Sequence, residues 1–108
     1  MKCWTQKEIN IMEPHVIHNS ELTRYELWLG EEKVGHADYK DIDGVLHFTH
    51  TEVDPAQQGK NYAAILMREA FKDIEENNLG KVWPVCPYVV KYMQRHPETQ
   101  GLLAKPLD

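Results

Sequence analysis

Cysteine is scarce in this chain: Cys3 and Cys86 are the only two in 108 residues. Two thiols make no disulfide framework, and they read as free cysteines of a reducing compartment rather than as a bridge. Long apolar runs are missing as well. Nothing approaches the roughly 18–20 residues a membrane span needs. The start Met1-Lys2-Cys3-Trp4-Thr5-Gln6-Lys7-Glu8 has no apolar segment of the kind a secretory signal carries. Basic charge is in deficit, with 12 Lys and Arg against 17 Asp and Glu and a net charge of -5. That balance argues against sequence-independent nucleic-acid binding, which depends on Lys and Arg neutralising phosphates. Internal repeats and low-complexity tracts are absent too. What remains is 42% hydrophobic and 27% charged, in the ordinary globular range. The expectation is one soluble cytoplasmic domain, monomeric or a small oligomer, with neither nucleic acid nor membrane as partner.

Residues 1–14 carry little periodicity; they read either as an extra strand, with Ile9 and Ile11 alternating, or as a partly ordered arm before a core of about 15–103. His15 to His18 suit a short first strand. From Thr23 to Leu29 the pattern alternates, with Tyr25, Leu27 and Leu29 on one face and Arg24, Glu26 and Trp28 on the other. Gly30-Glu31-Glu32 is a hairpin turn, Lys33 to Lys40 a further strand, and Asp41-Ile42-Asp43-Gly44 a second turn with the Asp-Gly pair that favours tight hairpins. Val45 to Val53 completes a three-stranded antiparallel meander. Pro55 breaks the sheet. From Gly59 to Asn78 the period becomes 3.6, with Ala63, Leu66, Met67, Ala70, Phe71 and Ile74 as the apolar stripe. Gly80 suits a left-handed cap. Lys81 to Val85 is a strand expected to lie parallel to Val45–Val53, and Pro87 opens a second helix that Pro97 stops near His96. The tail from Glu98 either packs or stays loose. The order β-β-β-α-β-α makes an α+β domain with a mixed sheet.

The strand end and loop from His50 to Ala63 draw the chemistry. A strand that feeds a helix through a short polar loop exposes backbone N–H groups at the positive end of the helix dipole, where a pyrophosphate can sit. In Gln58-Gly59-Lys60-Asn61-Tyr62-Ala63, Gly59 permits close approach and Lys60 adds charge. The same letters equally make an ordinary strand-to-helix turn. Cys86 precedes Pro87 and so falls at the N-cap of the second helix, where the dipole favours a thiolate; a buried structural thiol is the other reading. His50 alternates with Phe48 and Glu52, opposite Thr49, Thr51 and Val53. A histidine beside a carboxylate suits a general base or proton relay, and equally a hydrogen-bonded edge residue.

These stretches together resemble the GNAT superfamily of acetyl-CoA-dependent N-acetyltransferases, whose cofactor loop reads Arg/Gln-x-x-Gly-x-Gly/Ala. Gln58 matches the first position and Ala63 the last, while Asn61 stands where the family's middle glycine is expected; Asn tolerates left-handed backbone better than most residues. The chain is most similar to the short Yjdj-type branch from about Arg24 to Leu103, through His50-Thr51-Glu52-Val53, Gly59-Lys60, Pro84-x-Cys86-x-Tyr88 and Arg95-His96-Pro97-Glu98. The resemblance implies the acyl-CoA N-acyltransferase fold and acetyl-CoA as cosubstrate. It implies that Val53, Gln58, Gly59, Lys60, Asn61, Tyr62 and Ala63 hold that cosubstrate, with Cys86 and His50 as the catalytic pair facing the acetyl group. The acceptor is a small-molecule or peptide amine, reached by direct transfer or through an acetyl-cysteine. Tyr88 or Tyr92 either protonates the departing CoA thiolate or packs a helix.

Six histidines raise the question of metal. His15-x-x-His18 and His47-x-x-His50 have ligand-like spacing, but residues three apart on a strand face opposite ways, so no metal is expected. A rival from another class is a non-catalytic CoA- or nucleotide-binding module that acts through a protein partner.

Overall fold

The structure, a computed structural model, describes residues 14–57 and 61–105. The expectations for residues 1–13, for Gln58, Gly59 and Lys60, and for the last three residues lie outside the described residues. Strands β1 (Pro14–Asn19), β2 (Arg24–Leu29), β3 (Glu32–Ile42) and β4 (Val45–Val53) form an antiparallel meander. Helix α1 (Tyr62–Glu76) carries the chain over to β5 (Lys81–Pro84), which pairs parallel with β4. Helix α2 (Pro87–Arg95) and a 3-10 segment, Pro97–Leu102, follow. The five strands lie in sequence order. The meander thus has four strands rather than three, because His15 to His18 pair in full along β2. The tail packs: Ala104 N donates to the Val82 carbonyl at 3.0 Å.

Tyr25, Leu27, Ala37, Tyr39, Leu46 and Phe48 turn to one face of the sheet and meet Leu66, Met67, Ala70, Phe71 and Ile74 of α1 and Val89, Tyr92 and Met93 of α2. The apolar stripe of α1 is therefore the core-facing one, apart from Ala63, which is half-buried at the first turn. The opposite face is polar. Glu26 lies there yet is buried, because Asn19 Nδ2 and Trp28 Nε1 donate to its carboxylate at 3.3 and 3.2 Å.

Two turns fix the hand-over from meander to crossover. Asp43 and Gly44 both have positive φ, 53° and 81°, the type I′ geometry that a two-residue hairpin prefers. At the end of α1 the left-handed residue is Asn78 (φ 52°), and Leu79 N reaches back to the Ile74 carbonyl at 3.0 Å. Gly80 is therefore not the cap. At φ 140° it lies against the hairpin, where a Cβ would collide with the Gly44 carbonyl oxygen.

Candidate active site

β4 and β5 pair only over Val45–Phe48 and Lys81–Pro84. Beyond Phe48, β4 continues for five residues to Val53 while the other chain turns into α2. The closed end of this wedge is one atom: the Phe48 carbonyl oxygen accepts from both Val85 N and Cys86 N at 2.9 Å. Cys86 is the N-cap residue of α2, with Pro87 next to it as expected. Cys86 belongs to the core cluster and is 9% exposed.

At the open end lies a groove of about 340 Å³, lined by Val53, Gln57, Asn61, Tyr62, Ala63 and Ala64 from one side and Tyr88 from the other. Four of the seven expected cosubstrate residues, Val53, Asn61, Tyr62 and Ala63, are brought together here. Asn61 has φ 65° and ψ 19°, the left-handed conformation the glycine of the pattern would supply. Tyr88 lines the groove, and burial raises its pKa, so it stays a phenol through the neutral range. Tyr92 is different: it stacks on His96 at 4.2 Å and meets Phe71 edge-on at 5.9 Å, a packing residue whose pKa burial also raises. Thr51 points inward on the same strand as Val53. Its Oγ1 is buried and finds no hydrogen-bond partner among the described residues. An unpaired hydroxyl of this kind fits a polar ligand lying along β4. The groove, the left-handed helix start and that hydroxyl together fit a pantetheine-pyrophosphate group.

His50 is not where the alternation placed it. Asp38 pairs with His50 but Tyr39 with Phe48, so Thr49 is an extra residue, a β-bulge. The bulge reverses the phase of β4: Phe48 points into the core while His50, 57% exposed, and Glu52 point to the polar face. His50 Nε2 lies 3.4 Å from Glu52 Oε1. The expected pair is therefore split, with Cys86 on the core side and His50 on the outer side. The same bulge turns His47 and His50 to one face, against the expectation that residues three apart diverge. His36, on β3, belongs to no local motif in the sequence. It is the cross-strand partner of Glu52, with Nε2 at 3.8 Å from Glu52 Oε1 and 3.6 Å from Asp38 Oδ2. Burial lowers its pKa, opposed by the Asp38 carboxylate. Only strand register reveals this neighbour, and register is not written in one strand's pattern.

No helix among the described residues is long and apolar enough to cross a membrane. No curated protein matches the sequence. Among solved structures, a GCN5-like protein of Staphylococcus aureus superposes with a TM-score of 0.65 at 14% identity, covering 86% of this chain and 90% of that one. The ribosomal-protein-S18-alanine N-acetyltransferase of Escherichia coli gives 0.56 at 10% identity, covering 83% of this chain and 57% of that one. At such identities these likenesses speak for the fold alone, a mixed sheet with helices. The family described as GCN5-related N-acetyl-transferase matches residues 24–102, and the chain belongs to that family.

Proposed function

We propose that this protein is an acetyl-CoA-dependent N-acetyltransferase of the Yjdj-type, transferring acetyl to a small-molecule or peptide amine. The observation that carries the reading is the wedge itself, with a groove and a left-handed helix start at its open end and a cysteine at its closed end. Val53, Asn61, Tyr62 and Ala63 line the cosubstrate's path, and Gln58, Gly59 and Lys60 belong to the same loop in the sequence. A gap between strands connects the two faces of a sheet. The cosubstrate enters from the helix side, and the amine approaches from the polar side, where His50 and Glu52 stand.

In this reading Cys86 and His50 divide the work across the gap. Cys86 Sγ, the thiolate left by the preceding turnover, attacks the acetyl carbonyl; its new C–S bond forms as the bond to CoA breaks, and the CoA thiolate takes the phenol proton of Tyr88. The phenol is restored through solvent by the proton that His50 later takes from the amine. With His50 Nε2–H donating to Glu52, Nδ1 carries the lone pair that accepts the amine's proton. The amine then displaces Cys86 as thiolate. Its 9% exposure restricts Cys86 to whatever enters the wedge, which guards an acyl-cysteine from bulk water.

Calorimetry with acetyl-CoA, intact-mass analysis after incubation with it, and thiol release over an amine panel test this. The expected results are saturable binding, an acetyl adduct on Cys86 that Cys86→Ala abolishes, and turnover with at least one amine. Full turnover by Cys86→Ala would leave direct transfer as the route. Binding without transfer to any amine would favour a non-catalytic CoA-binding module, and no binding at millimolar ligand would sink both.

A further inference from the structure

The polar face of the sheet brings together side chains that no single strand supplies. His36 and Asp38 on β3 stand directly across from Glu52 and His50 on β4. In such a square the two imidazoles are diagonal, with Cβ atoms about 7–8 Å apart, and they share a point only if both rings lean inward. They do. Each ring turns the same nitrogen toward the same oxygen: Nε2 of His50 and of His36 lie 3.4 and 3.8 Å from Glu52 Oε1. All three atoms fall within 4.8 Å of one another, and the rings are tilted by 47° with centroids 6.1 Å apart.

We propose that His36, His50 and Glu52 form a binding site for a divalent transition metal of the Zn²⁺ class. Imidazole selects such ions, whereas Mg²⁺ and Ca²⁺ call for an all-oxygen set. Ligand atoms about 2.0–2.1 Å from a tetrahedral ion stand about 3.3 Å from one another. Two of the three separations are near that value, and the third closes by rotation of His50, which is 57% exposed. His36, at 19%, forms the floor, and His50 and Glu52, at 57% and 61%, form the side open to solvent. Asp38 adds a second carboxylate 3.6 Å from His36 Nε2, and Arg24 holds its other oxygen at 3.0 Å. The fourth coordination position is left to water. Spacing within one strand does not show this set, which is assembled across two strands and depends on the Thr49 bulge.

The site stands without the catalytic assignment; its consequence rests on that reading. An ion on His50 Nε2 holds the ring proton on Nδ1, which leaves no lone pair for the amine's proton, so Zn²⁺ inhibits transfer. The test is titration of the full chain with Co²⁺, followed by displacement with Zn²⁺. Visible bands of a four-coordinate Co²⁺ site are expected at one ion per chain. His36→Asn and Glu52→Gln should each weaken binding by at least about 100-fold, whereas His47→Gln, one place further along the same face, should not. Histidine side-chain NMR of the unmutated protein is a second measurement that needs no variant: Zn²⁺ should shift the His36 and His50 rings and spare His15 and His47. Absence of binding, binding unchanged in both ligand variants, or shifts confined to other histidines would overturn the site. Binding without inhibition would support the site and count against His50 as the base, which keeps the two failures apart.

Discussion

At the scale of single residues, Asn61 decides whether the cosubstrate loop can be built without its expected glycine. Its φ of 65° is a conformation that costs most L-residues about 1–2 kcal/mol and asparagine less. Asn61→Gly should therefore bind acetyl-CoA as the unmodified chain does. Asn61→Val should lose about 1–2 kcal/mol of stability and weaken acetyl-CoA, since a β-branched residue resists this backbone and shifts the first turn of α1. Denaturant melts and calorimetry on the two variants check this; equal behaviour of Val and Gly would remove backbone geometry as the reason. The left-handed conformation could be anticipated because it belongs to one residue's own preferences. The outward face of His50 could not. Alternation assigns faces by counting, and the extra residue at Thr49 makes every count beyond it wrong by one.

Among the elements, the crossover from α1 to β5 depends on a contact between two turns. Lys81 N donates to the Gly44 carbonyl at 3.0 Å, and Gly80 lies against the same carbonyl at φ 140°. Gly80→Ala adds a Cβ that meets backbone rather than a yielding side chain, in a region L-residues avoid. The expected loss is about 1–3 kcal/mol, read as a lower denaturation midpoint, and β5 must shift away from the β3–β4 hairpin. Because β5 forms one arm of the wedge, acetyl-CoA affinity should fall with stability. Gly101→Ala, where a Cβ meets nothing within 4 Å, serves as control. The elements themselves were legible: the change from period two to period 3.6 located α1, and Pro87 located the start of α2. Their terminations were less so, since Asn78 took the left-handed role that composition assigned to Gly80. What makes Gly80 a glycine is the distant hairpin, and long-range contact leaves no local signal.

Over the whole molecule, a polar network under the sheet ties three strands to α1. Tyr25, fully buried, donates to Asp73 Oδ2 at 2.8 Å; His18 Nε2 and the Tyr39 hydroxyl lie 2.6 Å apart; Asn77 Nδ2 donates to Asp73 Oδ1 at 2.6 Å. Burial, then the hydrogen bond to Asp73 and its negative charge, raise the Tyr25 pKa far above 10. A group whose folded pKa is raised keeps its proton in the native state after the unfolded chain has lost it. Its contribution is complete below pH 10 and declines as pH rises beyond, by about 1.4 kcal/mol per unit for one such tyrosine. Tyr39, Tyr88 and Tyr92 are raised as well and act with the same sign. The protein should therefore unfold cooperatively in mild alkali, above pH 10, with tyrosinate absorbance and loss of helical signal appearing together. Tyr25→Phe should be less stable by about 1.5–3 kcal/mol at pH 7, having lost a hydrogen bond to a carboxylate, and its stability should fall less steeply above pH 10. Parallel declines in the two proteins would show that Tyr25 ionises without unfolding the chain, and would remove the network from the account of what holds the sheet to α1.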